Sequence, residues 1–440
     1  MATVLSRLYH ELGLGSVWDS GRDVWLVLLA RSARMFAYGA NSLILALFFS
    51  QLSFSDFRIG VFMSLTLLGD VVLTVALTTT ADRYGRRRTI LLGSVLMVIS
   101  GLAFVLVENF WILLMAAVIG VISASGGDFG PFRAIEESML SQITTGKARN
   151  NVLAWYVTTA SLGSAIGTET SGRMVDGLLS HGWSRLDAYH TIFGLYVMMG
   201  ALNAVLVLLM GDRLEAARPV APEDEMMLLE EEPGTKPQPQ PQPQASSPWS
   251  LSLSTRTVMY KLWPLLALDS VADGMVSYSL TTYYLEQKFH TTTATLGDIT
   301  SVSYFLAAAS TIFAGPLANH IGLVNTMVFT HVPSSAAVLL FPLPSHLVLT
   351  VILFFIRTGL NNMDQAPRSA FIAAAVKAEE RTAVLGLTST IRTLAATAGP
   401  SITGILAQSG RFWLAFVVAG AFRLLYDFGL WALFINMKID

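Results

Sequence analysis

Residues 78–88 read Thr78-Thr79-Thr80-Ala81-Asp82-Arg83-Tyr84-Gly85-Arg86-Arg87-Arg88, a charged stretch between two apolar ones at 57–80 and 89–107. Each flank is long enough for a helix that crosses a bilayer, which takes about 20 apolar residues. The short charged stretch then has to be the turn of a membrane hairpin. Gly85 permits a tight turn. The arginines hold the loop against an anionic leaflet, and Asp82 can cap a helix N-terminus.

The rest of the chain repeats this pattern. Hydrophobic residues make up 53% of 440 positions and charged residues 13%, about half the charge of a soluble protein. Further spans are expected at 24–50, 110–134, 152–176, 188–211, 260–286, 295–318, 323–343, 346–367, 384–407 and 411–436. With the two above they make about twelve. A net charge of −2 argues against a nucleic-acid partner. Cysteine is absent, which removes disulfides, thiol chemistry and cysteine metal sites. The seven histidines form no metal-spaced pair. No nucleophile elbow or catalytic constellation is visible, so neither an enzyme nor a cofactor is expected. The run from Gly126 to Pro131 lacks the Gly-Lys-Ser/Thr of a phosphate loop and reads as a helix bend. Residues 1–23 carry no signal-peptide core and read as an N-terminal segment.

Residues 212–257 differ from everything around them. An acidic run (Glu223, Asp224, Glu225, Glu230, Glu231, Glu232) precedes a Pro-Gln repeat from Pro237 to Gln244. Such a segment buries no core and reads as a disordered linker between halves at 24–211 and 258–440. Lysine and arginine outside the spans fall sixteen to five on the side of the Arg83–Arg88 loop. Positive residues favour the cytoplasmic face, so both termini and the linker are expected there.

The halves also echo each other. Arg149-Asn-Asn-Val-Leu-Ala154 matches Arg381-Thr-Ala-Val-Leu-Gly386 at an offset of 232. Asp128 and Pro131 match Asp364 and Pro367 at 236, and Gly85 and Asp82 match Gly322 and Asn319 at 237. A nearly constant offset across six spans describes a parallel repeat, a construction that places a solute site between halves near the midplane. With its central linker and twelve spans, the stretch at 78–88 resembles the signature loop of the major facilitator superfamily, Gly-x-x-x-Asp-Arg-x-Gly-Arg-Arg/Lys. Thr78 stands where that family usually has Gly. The resemblance implies an all-α integral membrane fold of two six-helix parallel repeats. It also implies a cytoplasmic latch made of Asp82, Arg83, Gly85, Arg86 and Arg87.

Ionised residues inside spans are the best site candidates, because each costs at least ~2.5–3.5 kcal/mol at the bilayer centre. Arg31, Arg34, Tyr38 and Asn41 share a face of the first span, and Asp269 and Asp273 a face of the seventh. Arg357, Asn361, Asp364 and Arg368 lie along the tenth, and Asp128 on the fourth, with Arg133, Glu136 and Glu137 at its inner end. In the resembled fold these four spans surround a central cavity. Arg31 maps onto Asp269 at an offset of 238. This suggests pairs between Arg31/Arg34 and Asp269/Asp273 across the axis, either switching or permanent. Arg423 and Asp427, at i and i+4, read as an intrahelical pair, and Asp70 and Glu169 could titrate.

The expected function is secondary active transport by alternating access. Protons are the expected coupling ion and a small organic compound the exported solute. Uptake or exchange of a small organic anion is the alternative, motivated by Arg31, Arg34 and Arg357; a non-transporting sensor is a third possibility. A monomer in the plasma membrane is expected.

Overall fold

The computed structural model describes residues 14–120, 122, 131–215, 251–377 and 380–435. Asp128, the linker residues 216–250 and the side chain of Asp82 lie outside the described residues. Within them all regular structure is helical. After a short helix at Leu14–Asp19, the first six spans are α1 (Arg22–Gln51), α2 (Asp56–Tyr84), α3 (Arg86–Leu106), α4, α5 (Gly146–Ser180) and α6 (Arg185–Leu208), with α4 in two pieces, α4a (Phe110–Ile119) and α4b (Pro131–Ile143). The second six begin with α7a (Leu253–Met275) and α7b (Tyr278–Phe289), followed by α8 (Thr293–Ile321) and α9 (Leu323–Leu340). They end with α10a (Leu347–Asn361), α10b (Gln365–Ala375), α11 (Arg381–Gln408) and α12 (Phe412–Phe434).

Eight of these spans (α1, α2, α3, α6, α8, α9, α10 and α12) are long and apolar enough to cross a membrane on composition alone. The others have physical reasons to be less apolar. α5 buries Ser164, Thr168 and Ser171 and packs between α1 and α8. α11 packs between α7a and α2, so its polar face meets protein rather than lipid. Among the described residues two expected spans are broken. The seventh bends between Met275 and Tyr278, and the tenth passes through a 3-10 turn at Asn362–Asp364 before running on to Ala375. Hydropathy alone does not register a break whose freed carbonyls are satisfied inside the protein.

The repeat is visible in the turns. Gly85 between α2 and α3 and Gly322 between α8 and α9 both have positive φ, at 99° and 86°. A side chain would strain either turn. The halves also meet through two contacts that the repeat relates to each other: α2 packs against α11, and α5 against α8. A Cβ placed on Gly60 would approach the carbonyl of Pro400, and one on Gly172 that of Thr293, at under 3.0 Å. Small residues let these helices come into near backbone contact.

The packing of the cores fixes the conformation. At the arginine-loop end the halves have separate cores. One holds Val24, Ile90, Met139, Tyr156 and Val207; the other holds Met259, Val324, Phe371, Val384 and Leu430. At the opposite end a single core joins both halves, from Phe48, Phe62 and Phe193 to Tyr284, Phe341 and Phe416. Polar contacts follow the same division. Asp176 accepts from the backbone N–H of Thr293 at 3.2 Å and of Ala294 at 3.1 Å, so α5 caps α8 across the interface. Arg173 bridges Glu169 and Asp298, Arg185 meets Glu286 at 3.7 Å, and Tyr283 donates to Asp56 at 2.7 Å. Ser401 donates to Ser64 at 2.7 Å, deeper along the same seam. The bundle is closed at this end and parted toward the arginine loop.

Candidate functional site

The parted end leads into a cavity of about 290 Å³. Its wall is unequal. The N-terminal half supplies Met63 and Leu67 from α2, whereas α7a, α10b and α11 supply Ser270, Asp273, Arg368, Thr388 and Arg392 among others.

Behind that wall the C-terminal half holds a network of charges on five spans. Asp269 and Asp273 are one helical turn apart on α7a, which puts both carboxylates on one face. Arg423 of α12 is completely buried and lies 3.2 Å from Asp273. Its second terminal nitrogen meets His331 Nε2 at 2.8 Å and also donates to Asn361 Oδ1. An arginine has no acceptor and does not deprotonate in proteins, so Nε2 is the acceptor in this contact. The ring proton of His331 therefore sits on Nδ1, where it donates to Asp427 Oδ1 at 2.7 Å. Ser335 donates to the other oxygen of Asp427 at 2.7 Å. Asp269 is held more loosely: Arg392 Nη2 stands 3.8 Å away, His331 Nε2 at 3.7 Å has no proton to offer, and Oδ1 accepts no hydrogen bond. Asp364 and Arg368 form a tight buried pair at 2.6 Å. Arg357 turns to the break in α7, donating to the Val276 carbonyl at 2.5 Å and to Thr281 at 3.2 Å. It thereby caps the C-terminal end of α7a.

The N-terminal half is simpler. Glu136 of α4b takes hydrogen bonds from Arg34 at 2.6 Å and from Tyr156 at 2.7 Å on the same oxygen. Arg31 stacks its guanidinium 4.5 Å from the centre of the Tyr156 ring, with Glu136 4.0 Å away. Nearby on α1, Asn41 is fully buried and neither of its amide atoms is hydrogen-bonded. Asp70 on α2 is also buried, with no cation at salt-bridge distance among the described residues.

Two sequence expectations are corrected by this geometry. Arg31 and Arg34 do not pair with Asp269 and Asp273 across the axis, because Glu136 lies closer to the two arginines and is a ligand from their own half. Arg423 and Asp427 are not an intrahelical pair, because Arg423 points to Asp273 and His331 while Asp427 accepts from His331 and Ser335. Arg392 and His331 were missed although the signal was available. Arg392 is the only ionised residue in the expected span 384–407, and His331 the only titratable one in 323–343. At the loop, α3 begins on a clamp. Glu215 accepts from the backbone N–H of Arg86 at 2.6 Å and of Arg87 at 3.3 Å, and the Arg87 side chain reaches Asp212 at 2.5 Å.

Comparison with known proteins agrees with this architecture. A family model described as Major Facilitator Superfamily matches residues 27–268 and 262–438. An uncharacterized membrane protein of Saccharomyces cerevisiae, YJR124C, is 30% identical over 434 residues, 95% of each chain. Among solved structures, a transporter of the POT family has a TM-score of 0.70 at 13% identity, covering 97% of this chain and 100% of that one. The nucleoside transporter NupG gives 0.69 at 13%, covering 95% and 100%. A bacterial homolog of the human lysosomal transporter Spinster, in an inward-facing and unoccupied conformation, gives 0.68 at 14%, covering 93% and 95%. At these identities the structures establish the fold.

Proposed function

This chain belongs to the major facilitator superfamily of membrane transporters, and on that premise we propose a proton-coupled exporter of a small organic compound that works by alternating access. The observation that carries the coupling assignment is Asp273. Its side chain is 35% exposed on the cavity wall, while its counter-cation Arg423 is wholly buried. A carboxylate so placed can exchange a proton with the cavity, and a shift of Arg423 changes how readily it does so. Asp269 is 1% exposed and serves the network behind it.

Alternating access has a physical basis in the packing. Closing the arginine-loop end requires the seam at the other end to open, so Asp176, Arg173 and Tyr283 must release their partners across it. Asp82, Arg83, Gly85, Arg86 and Arg87 form the latch of the closing end in this reading, with that end cytoplasmic. The segment between Leu214 and Leu253 tethers the halves, shorter than the expected 212–257 because α7a already begins at Leu253, and the protein works as a monomer in the plasma membrane. Asn361 and Asp364 support the path from behind its wall, as partners of Arg423 and Arg368.

The test is a solute screen on purified protein in liposomes, with and without an imposed pH gradient. Accumulation that depends on the gradient supports the proposal. Solute binding without any flux contradicts it and indicates a sensor. Ser246→Cys tests orientation, since the native chain has no cysteine. Labelling by an impermeant thiol reagent is expected only after permeabilisation.

A further inference from the structure

Two questions about the cavity wall have answers in its geometry: which charge is left unanswered, and what would answer it. The C-terminal network holds four arginines, and three have a carboxylate or carbonyl oxygen within 3.2 Å. Arg368 has Asp364 at 2.6 Å, Arg423 has Asp273 at 3.2 Å together with His331 and Asn361, and Arg357 is committed to the carbonyl of Val276. Arg392 differs. Its Nε donates to Ser270 at 3.2 Å, but its nearest carboxylate, Asp269, stands at 3.8 Å. A charge-assisted hydrogen bond of this kind runs at about 2.7–2.9 Å, so Asp269 is a Coulombic neighbour and not a ligand. Arg392 is 29% exposed and faces the cavity.

We propose that Arg392 is the recognition residue for the solute, and that the solute is a small amphipathic organic acid whose carboxylate docks on this guanidinium. This rests on the transporter reading above and names its substrate class. A carboxylate matches the two-pronged edge of an arginine. Among the described residues the one cavity-lining carboxylate, Asp273, is already paired with Arg423, so an amine would meet a carboxylate whose charge is already answered. The same wall carries Met63 and Leu67 of α2 and Ala396 and Pro400 of α11, which suits an apolar body. The cavity of about 290 Å³ is near the lower bound of small-molecule sites, about 300 Å³, which favours a compact acid over a peptide or lipid. The sequence pointed to Arg31, Arg34 and Arg357 for an anion. The structure moves that role to a span that sequence reasoning passed over.

The test uses Ser389→Cys, a single thiol on the exposed cavity wall of an otherwise cysteine-free protein. Its labelling rate is read with benzoate and hexanoate, then with benzyl alcohol, hexanol, benzylamine and hexylamine as bodies without the acid. At ten times the half-protecting concentration, at least one acid is expected to slow labelling about tenfold, with the alcohols and amines ineffective. Arg392→Gln should abolish that protection, and Arg392→Lys should restore it only in part, each variant keeping the parent's unfolding temperature to within a few degrees. If Arg392→Gln does not fold, the acid-versus-alcohol comparison in the parent and in Arg392→Lys decides alone. Protection by alcohols or amines equal to that by acids, protection by an acid that survives loss of Arg392, or no protection by either acid overturns the proposal. Protection is a binding readout and gradient-driven flux a coupling readout. Loss of flux with protection intact therefore removes proton coupling and leaves the acid site standing.

Discussion

The two halves bury charge in opposite ways. In the N-terminal half one carboxylate, Glu136, gathers Arg34 and Tyr156 on a single oxygen with Arg31 beside it, and none of these residues lines the cavity. In the C-terminal half four carboxylates, four arginines and a histidine run from α7 to α12, and Asp273, Arg368 and Arg392 reach the cavity wall. Two copies of one helical plan have thus separated into a half that holds its charges shut and a half that presents them. The proposed function gives structural work to the first network and solute and proton work to the second.

The largest expected effect tests the structural side. Glu136→Gln leaves two buried guanidiniums without their carboxylate. Breaking a buried pair from one side costs about 3–5 kcal/mol, so a sharp fall in unfolding temperature and in yield is predicted, with solute selectivity unchanged in whatever protein folds. A stable Glu136→Gln variant with altered selectivity would break the comparison, because the first network would then also touch the solute.

A smaller effect concerns the seam on which the halves pivot. Asp176→Ala removes the carboxylate that receives the Thr293 and Ala294 N–H groups across the interface. Loss of such a cap costs about 1 kcal/mol, or roughly a fivefold shift in population, and only while the seam is closed. Spin labels on the two halves at the arginine-loop end should therefore show more of the short-distance, closed population. An unchanged distance distribution would mean that the seam does not hold this state.

The smallest effect lies outside the membrane, at the clamp that opens the second half. Hydrogen bonds from Thr255 and from the Ser252 backbone and hydroxyl hold the Glu380 carboxyl below the usual glutamate range. A depressed carboxylate contributes its stability above its unfolded value of about 4.3 and loses it as pH falls through the lower folded value. The difference in unfolding temperature between wild type and Glu380→Gln should thus be present at pH 7 and vanish in acid. Glu215 makes a similar backbone clamp on α3 in the first half, a helix whose repeat partner is α9 and not α7a. A comparable loss on Glu215→Gln would show that each half holds one helix start with a carboxylate outside the membrane.

The fold was legible because its determinants are local. Apolar run lengths, the turn at Gly85 and its echo at Gly322, and the constant offset between repeats all lie on the surface of the sequence. The site was legible only in part. Asp269, Asp273 and Arg357 stand out because an ionised residue in an apolar run has few explanations. Their partners do not, because a long arginine chooses among carboxylates on several helices, and that choice depends on packing. Arg34 took Glu136, at the inner end of α4b, over an aspartate across the axis. Arg423 passed over Asp427 one turn away for Asp273 and His331 on other spans. Helical spacing states which residues can share a face, and tertiary packing decides which of them meet.

The most direct test of the division between the halves is gradient-driven accumulation of the screened solute in liposomes, with wild type and Asp273→Asn compared at equal protein. The account predicts that wild type accumulates solute when a pH gradient is imposed. Asp273→Asn should lose that accumulation while still exchanging solute down its own gradient, since Arg423 keeps His331 and Asn361 as partners. Accumulation in Asp273→Asn at the wild-type level would contradict the account and remove the C-terminal network from the coupling role.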